Sequence, residues 1–211
     1  MSKKLVATLG LLSASLFAGE VANAQQAGDL LVRGRVLYVA PDASATTTIG
    51  GTADIDSKVV PEIDFTYFIA DNIGLELIAA TTKHNATAIG TDVGDVPLGS
   101  AWLLPPTLSL QYHMPMSETL KPYFGAGVNY TFFYSEEAAG TPVNDFNLND
   151  TFGFSLQAGV DIELNESMFL NVDVKKLFLS TDATIPTDLG LVTADVQIDP
   201  WIIGVGIGTK F

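Results

Sequence analysis

Thr151-Phe152-Gly153-Phe154-Ser155-Leu156-Gln157-Ala158-Gly159-Val160-Asp161-Ile162 alternates strictly between two kinds of side chain. Phe152, Phe154, Leu156, Ala158, Val160 and Ile162 share one face, and Gly153, Ser155, Gln157, Gly159 and Asp161 share the other. A period of two is the signature of a β-strand, whose successive side chains point to opposite faces. The pattern spreads in both directions. Leu170, Val172 and Val174 oppose Asn171, Asp173 and Lys175, and Trp201, Ile203, Val205, Ile207 and Phe211 oppose Gly204, Gly206, Gly208 and Lys210. Phe124, Ala126, Val128, Tyr130 and Phe132 oppose Tyr123, Gly125, Gly127, Asn129 and Thr131. Earlier stretches repeat it around Val32–Val39, Glu62–Ile69, Ile73–Ala79 and Thr107–His113, giving eight strands.

Between them, the connections Ala70–Asn72, Met114–Thr119 and Asn165–Ser167 are short and polar. Pro41–Ser57, Thr81–Trp102, Ser135–Asn149 and Thr181–Val192 read as long loops rich in Thr, Gly, Asp and Ala. Short turns on one side and long loops on the other predict an all-β, eight-stranded antiparallel transmembrane β-barrel of the bacterial outer membrane. A water-soluble barrel also alternates, with its apolar face inward. Here the apolar face carries no charge apart from Lys176, as lipid exposure requires. Tyr38, Tyr67, Trp102, Tyr112, Phe132, Phe133 and Trp201 fall near strand ends, at girdle positions. Lys176 reads as an outer-edge lysine reaching lipopolysaccharide phosphate, or as a residue turned aside by a bulge.

The start of the chain supports export. Lys3 and Lys4 precede an uncharged run from Leu5 to Ala18, followed by Ala22-Asn23-Ala24, which predicts a signal peptide over 1–24 and a single barrel domain over 25–211. Lys3, Lys4 and Glu20 leave with it, so the mature chain has 8 basic and 23 acidic residues. That excess argues against a nucleic-acid partner. A mean hydropathy of +0.31 in so acidic a chain places much apolar surface against something other than water. No cysteine is present, which excludes thiolate metal sites and disulfides. His84 lies in an outer connection and His113 reads as a residue of a periplasmic turn, too far apart for one catalytic or metal site. Asp145–Asp150 begins like a calcium loop but has Asp150 at the glycine position and Leu156 at the twelfth, so an acidic surface loop is expected. Gly204-Val205-Gly206-Ile207-Gly208 lacks the spacing and following helix of a dinucleotide loop and reads as small inward residues. No cofactor, metal or enzymatic activity is expected.

Eight strands leave an interior that side chains nearly fill. With the N-terminus in the periplasm, the inward residues sort by height. Arg33, Arg35, Asp64, Glu76, Asp161, Asp173, Lys175 and Lys210 fall low or in the middle. Leu37, Val39, Ile78, Leu177, Leu179 and Ile202 fall toward the outer mouth. The lumen therefore reads as an apolar cup above a network of opposite charges.

Several motifs together resemble the outer membrane protein W family. They are Asp71-Asn72-Ile73-Gly74-Leu75-Glu76-Leu77, Leu104-Pro105-Pro106-Thr107-Leu108-Ser109-Leu110-Gln111-Tyr112, Lys121-Pro122-Tyr123-Phe124-Gly125-Ala126-Gly127-Val128-Asn129-Tyr130 and Asp199-Pro200-Trp201. The resemblance implies a narrow, partly hydrophobic lumen and uptake of small hydrophobic molecules, or a receptor role. The terminal Phe211 resembles the signal read by the barrel assembly machinery, although Thr209 stands where that signal has an aromatic. Two functions remain open: a passage for small hydrophobic solutes with sideways exit into lipid, and a non-transporting adhesion or receptor barrel acting through its loops. An apolar outer lumen favours the first, and charge from end to end the second.

Overall fold

The computed structural model describes residues 25–211 apart from Leu189, so the expected signal peptide lies outside the described residues. In chain order the strands are β1 (Leu30–Ala40), β2 (Ser44–Thr47), β3 (Thr52–Ile55), β4 (Lys58–Ala70), β5 (Ile73–Ala80), β6 (Thr82–Thr91) and β7 (Gly94–Leu104). They continue as β8 (Thr107–His113), β9 (Leu120–Ala138), β10 (Asn147–Leu148), β11 (Thr151–Glu163), β12 (Met168–Thr187), β13 (Gly190–Gln197) and β14 (Trp201–Lys210). Eight of them, β1, β4, β5, β8, β9, β11, β12 and β14, pair antiparallel in a closed ring that ends where β14 meets β1. Closure removes the sheet edges that would otherwise leave unpaired backbone groups in lipid.

The ring follows the alternation of the sequence. Leu156 is 56% exposed and Phe154 68%, whereas Ser155 and Gln157 on either side of Leu156 are buried. Two aromatic belts bound the exposed apolar band. Tyr67 and Tyr112 sit beside the short turns, while Tyr38, Phe132 and Trp201 stand at the other end. The terminal Phe211 is exposed and its backbone exchanges hydrogen bonds with Leu30, which seals the ring at the turn side. Replacing Leu156 by Arg is expected to cost ~2–4 kcal/mol, because a guanidinium then has to leave water near the bilayer midplane. Urea unfolding in lipid vesicles measures it, and an unchanged midpoint would mean that Leu156 does not face lipid.

The four long connections are not loops. β2 and β3 occupy the first, β6 and β7 the second, the upper part of β9 with β10 the third, and the end of β12 with the start of β13 the fourth. They continue the barrel wall beyond the outer aromatic belt, where β13 pairs with β12 and β2, and β6 with β3 and β7. Their outer face meets water and their inner face carries small residues such as Ala53, Ala86, Ala88 and Ala194. Larger apolar residues such as Ile185 and Val196 also point inward, so the polarity of the two faces is the reverse of that in lipid, and the composition resembles that of a loop. The segment Asp145–Asp150 is also partly interior: Asp145 and Asn147 are exposed, but Phe146 is 3% exposed and packs among the apolar residues of the extension.

β12 runs through Lys176 without a bulge, in unbroken register with β11 and β14. Lys176 stays on the outward parity, and protein groups take up its charge. Its ammonium donates to the Asp199 carbonyl, lies 3.4 Å from Asp42 and stands 5.0 Å from the centre of the Trp201 ring.

Candidate functional site

The lumen is built in layers. Lowest, Leu31, Phe68 and Phe169 form a small apolar cluster. His113 is part of this layer, at the turn end of β8 as expected. It ends β8 on the inward parity, is 1% exposed, stacks on Tyr123 at 4.8 Å and meets Phe68 edge-on at 4.9 Å. Its Nε2 is 2.9 Å from the Gln111 side-chain oxygen. The period of two places it inward with Gln111.

Above this layer lies the charge network. Arg33 donates through Nη1 to Asp64 and Thr66, both at 2.8 Å, and through Nη2 to Asp161 at 3.0 Å. Arg35 donates through Nε to Glu62 at 2.6 Å, and its Nη2 lies 3.1 Å from Asp64 and 3.4 Å from Glu76. Asp173 is 3.8 Å from Arg35 and accepts the Tyr123 hydroxyl at 3.1 Å. Lys175 is 3.7 Å from Glu76. The inward parity thus gathers all seven charged residues, Arg33, Arg35, Asp64, Glu76, Asp161, Asp173 and Lys175, around one section of the lumen. Lys210, also expected there, instead pairs with Asp29 at 2.7 Å on the partly exposed rim. Five members, Thr66 and Tyr123 among them, were absent from that set. Glu62 shares its parity and was legible from it. Gln157 donates to Glu76 at 2.9 Å, and Asn171 donates to Asp161 at 2.8 Å and to Tyr123 at 3.0 Å. As neutral amides, these two gave no charge signal.

Room for the two arginines comes from β14. A Cβ at Gly206 would stand 2.1 Å from the Gly34 carbonyl oxygen and 2.7 Å from Arg35, and one at Gly208 would stand 2.3 Å from the Phe169 ring and 3.0 Å from Arg33. The glycine run of β14 is therefore the bed on which the aliphatic stems of the two arginines lie. Salt-bridged and hydrogen-bonded at both arginines, the section holds together because a buried charge without a partner is expensive.

Above the network the lumen opens into a cavity of about 1420 Å³, counted with the solvent at its mouth. Leu37, Val39, Ile78, Leu177, Leu179 and Ile202 all line it. The extension raises its walls with Ala53, Ala88, Phe146, Ile185, Ala194 and Val196, all buried. Among its lining residues, only Glu62 and Lys175 carry a fixed charge, and both belong to the network below. His84 also faces it, with Nδ1 2.6 Å from the Asp56 carbonyl and Nε2 3.2 Å from Thr82. A second hollow of about 770 Å³ shares Ile49, Leu98, Ile185 and Val192 with the first and lies among the hairpin tips, so the cup continues outward.

The wall lapses in pairing at several places beside this cavity, among them Pro41–Ala43 against Ile198–Pro200 and Lys58–Pro61 against Thr81–His84, and one such lapse lies where β5 and β6 meet β7 and β8. The β5–β8 ladder ends at Ile78 opposite Thr107, and the β6–β7 ladder begins at Thr82 opposite Leu103, in the same register. No ladder pairs join Ala79–Thr81 to Leu104–Pro106 in between. The cause is local. Pro105 and Pro106 have no N–H to donate. Their carbonyls turn the other way, accepting from Asn129 at 3.1 and 3.3 Å, and Pro106 also accepts the Tyr130 N–H at 3.2 Å. Thr81 bridges the lapse only by a side-chain bond to the Leu103 carbonyl, 3.0 Å long. Ala80, Leu103, Pro105 and Thr107 face the cavity on the inside, while Leu77, Leu104 and Leu108 are exposed outside.

Comparison with known proteins matches this architecture. The OmpW family model covers residues 26–211. The uncharacterized outer-membrane protein y4mB of Sinorhizobium fredii is 42% identical, over 85% of this chain and 78% of its own. The dibenzothiophene metabolism operon protein PahQ of Pseudomonas aeruginosa is 33% identical, over 82% of this chain and 84% of its own. The crystal structure of the outer membrane protein OprG from Pseudomonas aeruginosa superposes with a TM-score of 0.82 at 34% identity, covering 88% of this chain and 97% of that one. With the fold, the motifs and the family model in agreement, the chain belongs to the OmpW family, as an eight-stranded β-barrel of the bacterial outer membrane.

Proposed function

We infer that the barrel takes small, mainly apolar molecules into the outer cup and releases them sideways into the bilayer, without chemical conversion. The observation that carries this reading is the change of lining along the lumen: an apolar cup ends abruptly on a section of buried ion pairs. An apolar solute gains about 0.8 kcal/mol per methylene on leaving water, so it enters the cup readily. Going further down would require it to displace satisfied ion pairs and the aromatic layer beneath, with nothing gained in exchange. The unpaired stretch at Ala79–Thr81 and Leu104–Pro106 offers the easier exit, since no ladder hydrogen bonds have to break and lipid-facing leucines flank it. Above Glu62 and Lys175 the lining carries no fixed charge, so selectivity for the shape of the apolar part is loose. The name of the relative PahQ, from a dibenzothiophene metabolism operon, supports an apolar cargo for this chain too.

Uptake of a hydrophobic dye by vesicles or whole cells tests the reading. Ile78→Asp and Leu179→Asp each place a carboxylate in the cup, and both variants should assemble while slowing uptake about tenfold or more, since burying a charge without a partner costs several kcal/mol. Assembled variants with undiminished uptake would refute passage through the cup and favour a barrel acting through its outer surface.

A further inference from the structure

Lys175 stands where the apolar cup meets the charge network, and its position is unusual for a buried cation. Its side chain is 4% exposed and lines the cavity. Among the described residues, its ammonium meets only one ion-pair partner, Glu76 Oε2, at 3.7 Å, which is too long for a hydrogen bond. That carboxylate oxygen already accepts from Gln157 at 2.9 Å. An ammonium has three N–H donors, and those of Lys175 are left without a protein acceptor among the described residues, on an atom that stays accessible from the cavity. No other group of the lining is a cationic donor; Thr52, higher in the extension, accepts from the Ala45 N–H and offers only a neutral hydroxyl. The Thr107, Thr131 and Thr181 hydroxyls donate to Pro105, Asn129 and Asn149, and both His84 nitrogens face protein oxygens.

We propose that the Lys175 ammonium is the polar anchor of the cup and selects apolar molecules that carry a neutral oxygen acceptor, such as a ketone or ester, at one end. This rests on the cup being the binding site. The acceptor end reaches the floor and the apolar tail lies among Leu37, Ile78, Leu177 and Leu179. A neutral head is favoured over a carboxylate because the floor is already acidic. Glu62, Asp64, Glu76, Asp161 and Asp173 face Arg33, Arg35 and Lys175, an excess of two negative charges. An incoming anion would meet that excess with little water to screen it.

The test compares 2-nonanone, n-nonane and nonanoate at pH 8 on the full barrel in lipid nanodiscs, with binding corrected for partition into lipid. The ketone should bind about tenfold tighter than the alkane, as one hydrogen bond to a charged group provides. Nonanoate should bind more weakly than the ketone. Lys175→Met should abolish the preference while alkane binding persists, and Lys175→Arg should retain it. If the methionine variant does not assemble, the infrared carbonyl stretch of the ketone bound to the unmodified barrel decides. A shift to lower wavenumber than in hexane supports the anchor, and a hexane-like band overturns it. Equal binding of ketone and alkane, or tighter binding of nonanoate, overturns the anchor while leaving the cup as a site. Failure of all three to bind overturns both.

Discussion

Arg33→Met should destabilise the barrel by ~3–5 kcal/mol, the range for removing one partner of a buried ion pair. Arg33 has a fully buried side chain, and its guanidinium is shared by Asp64, Asp161 and the Thr66 hydroxyl. Methionine fills much of the volume but leaves Asp161 with the Asn171 amide as its remaining close donor. The section above the aromatic layer then holds excess negative charge in a space with little room for water. Lys210→Met serves as control: its pair with Asp29 is partly exposed, and such pairs contribute at most about 1 kcal/mol. Unfolding by urea in vesicles reads both. If Arg33→Met were as mild as Lys210→Met, the network would not be structural.

The second large effect concerns the wall. Pro105→Ala with Pro106→Ala supplies two backbone N–H groups at positions where the register above and below is already matched. The β5–β8 and β6–β7 ladders should then join across Ala79–Thr81, because an extended segment in register lacks only its donors. Closing the exit should reduce vesicle uptake of a hydrophobic dye about tenfold, as an escape route then has to break one more ladder hydrogen bond of roughly 1 kcal/mol or more. Dye should still bind in the cup. Hydrogen exchange at Ala79–Thr81 measures the closure independently, and faster uptake in the variant would place the exit elsewhere.

These two elements show what the sequence could and could not convey. Arg33, Asp64 and Glu76 announced themselves because charge on a strict two-residue period must face away from lipid, and antiparallel pairing then brings equal heights together. The six apolar cup residues followed from the same parity counted upward from the short turns. The extension was not legible. Its strands have water outside and apolar residues such as Ile185, Ala194 and Val196 inside, the reverse of the parity that marks a strand in lipid. Nor was the lapse at Pro105 and Pro106. The dipeptide is plain in the sequence, but its effect depends on which neighbouring strand takes the proline carbonyls, and only the fold places β9 rather than β5 beside them. Lys176 illustrates the same limit: its outward parity was clear, while the Trp201 ring and the Asp199 carbonyl that accommodate it come from the adjacent strand and turn.

Where an apolar molecule rests in this barrel separates sideways exit from straight passage. Anomalous diffraction from crystals grown in a lipid mesophase and soaked with 1-iodooctane answers that directly. The iodine peaks should lie in the outer cup among Ile78, Leu177 and Leu179 and at the wall beside Pro105, with none below the level of Arg33. Iodine beside His113 and Phe68 at the periplasmic end would show a straight path through the charge network and contradict the sideways exit.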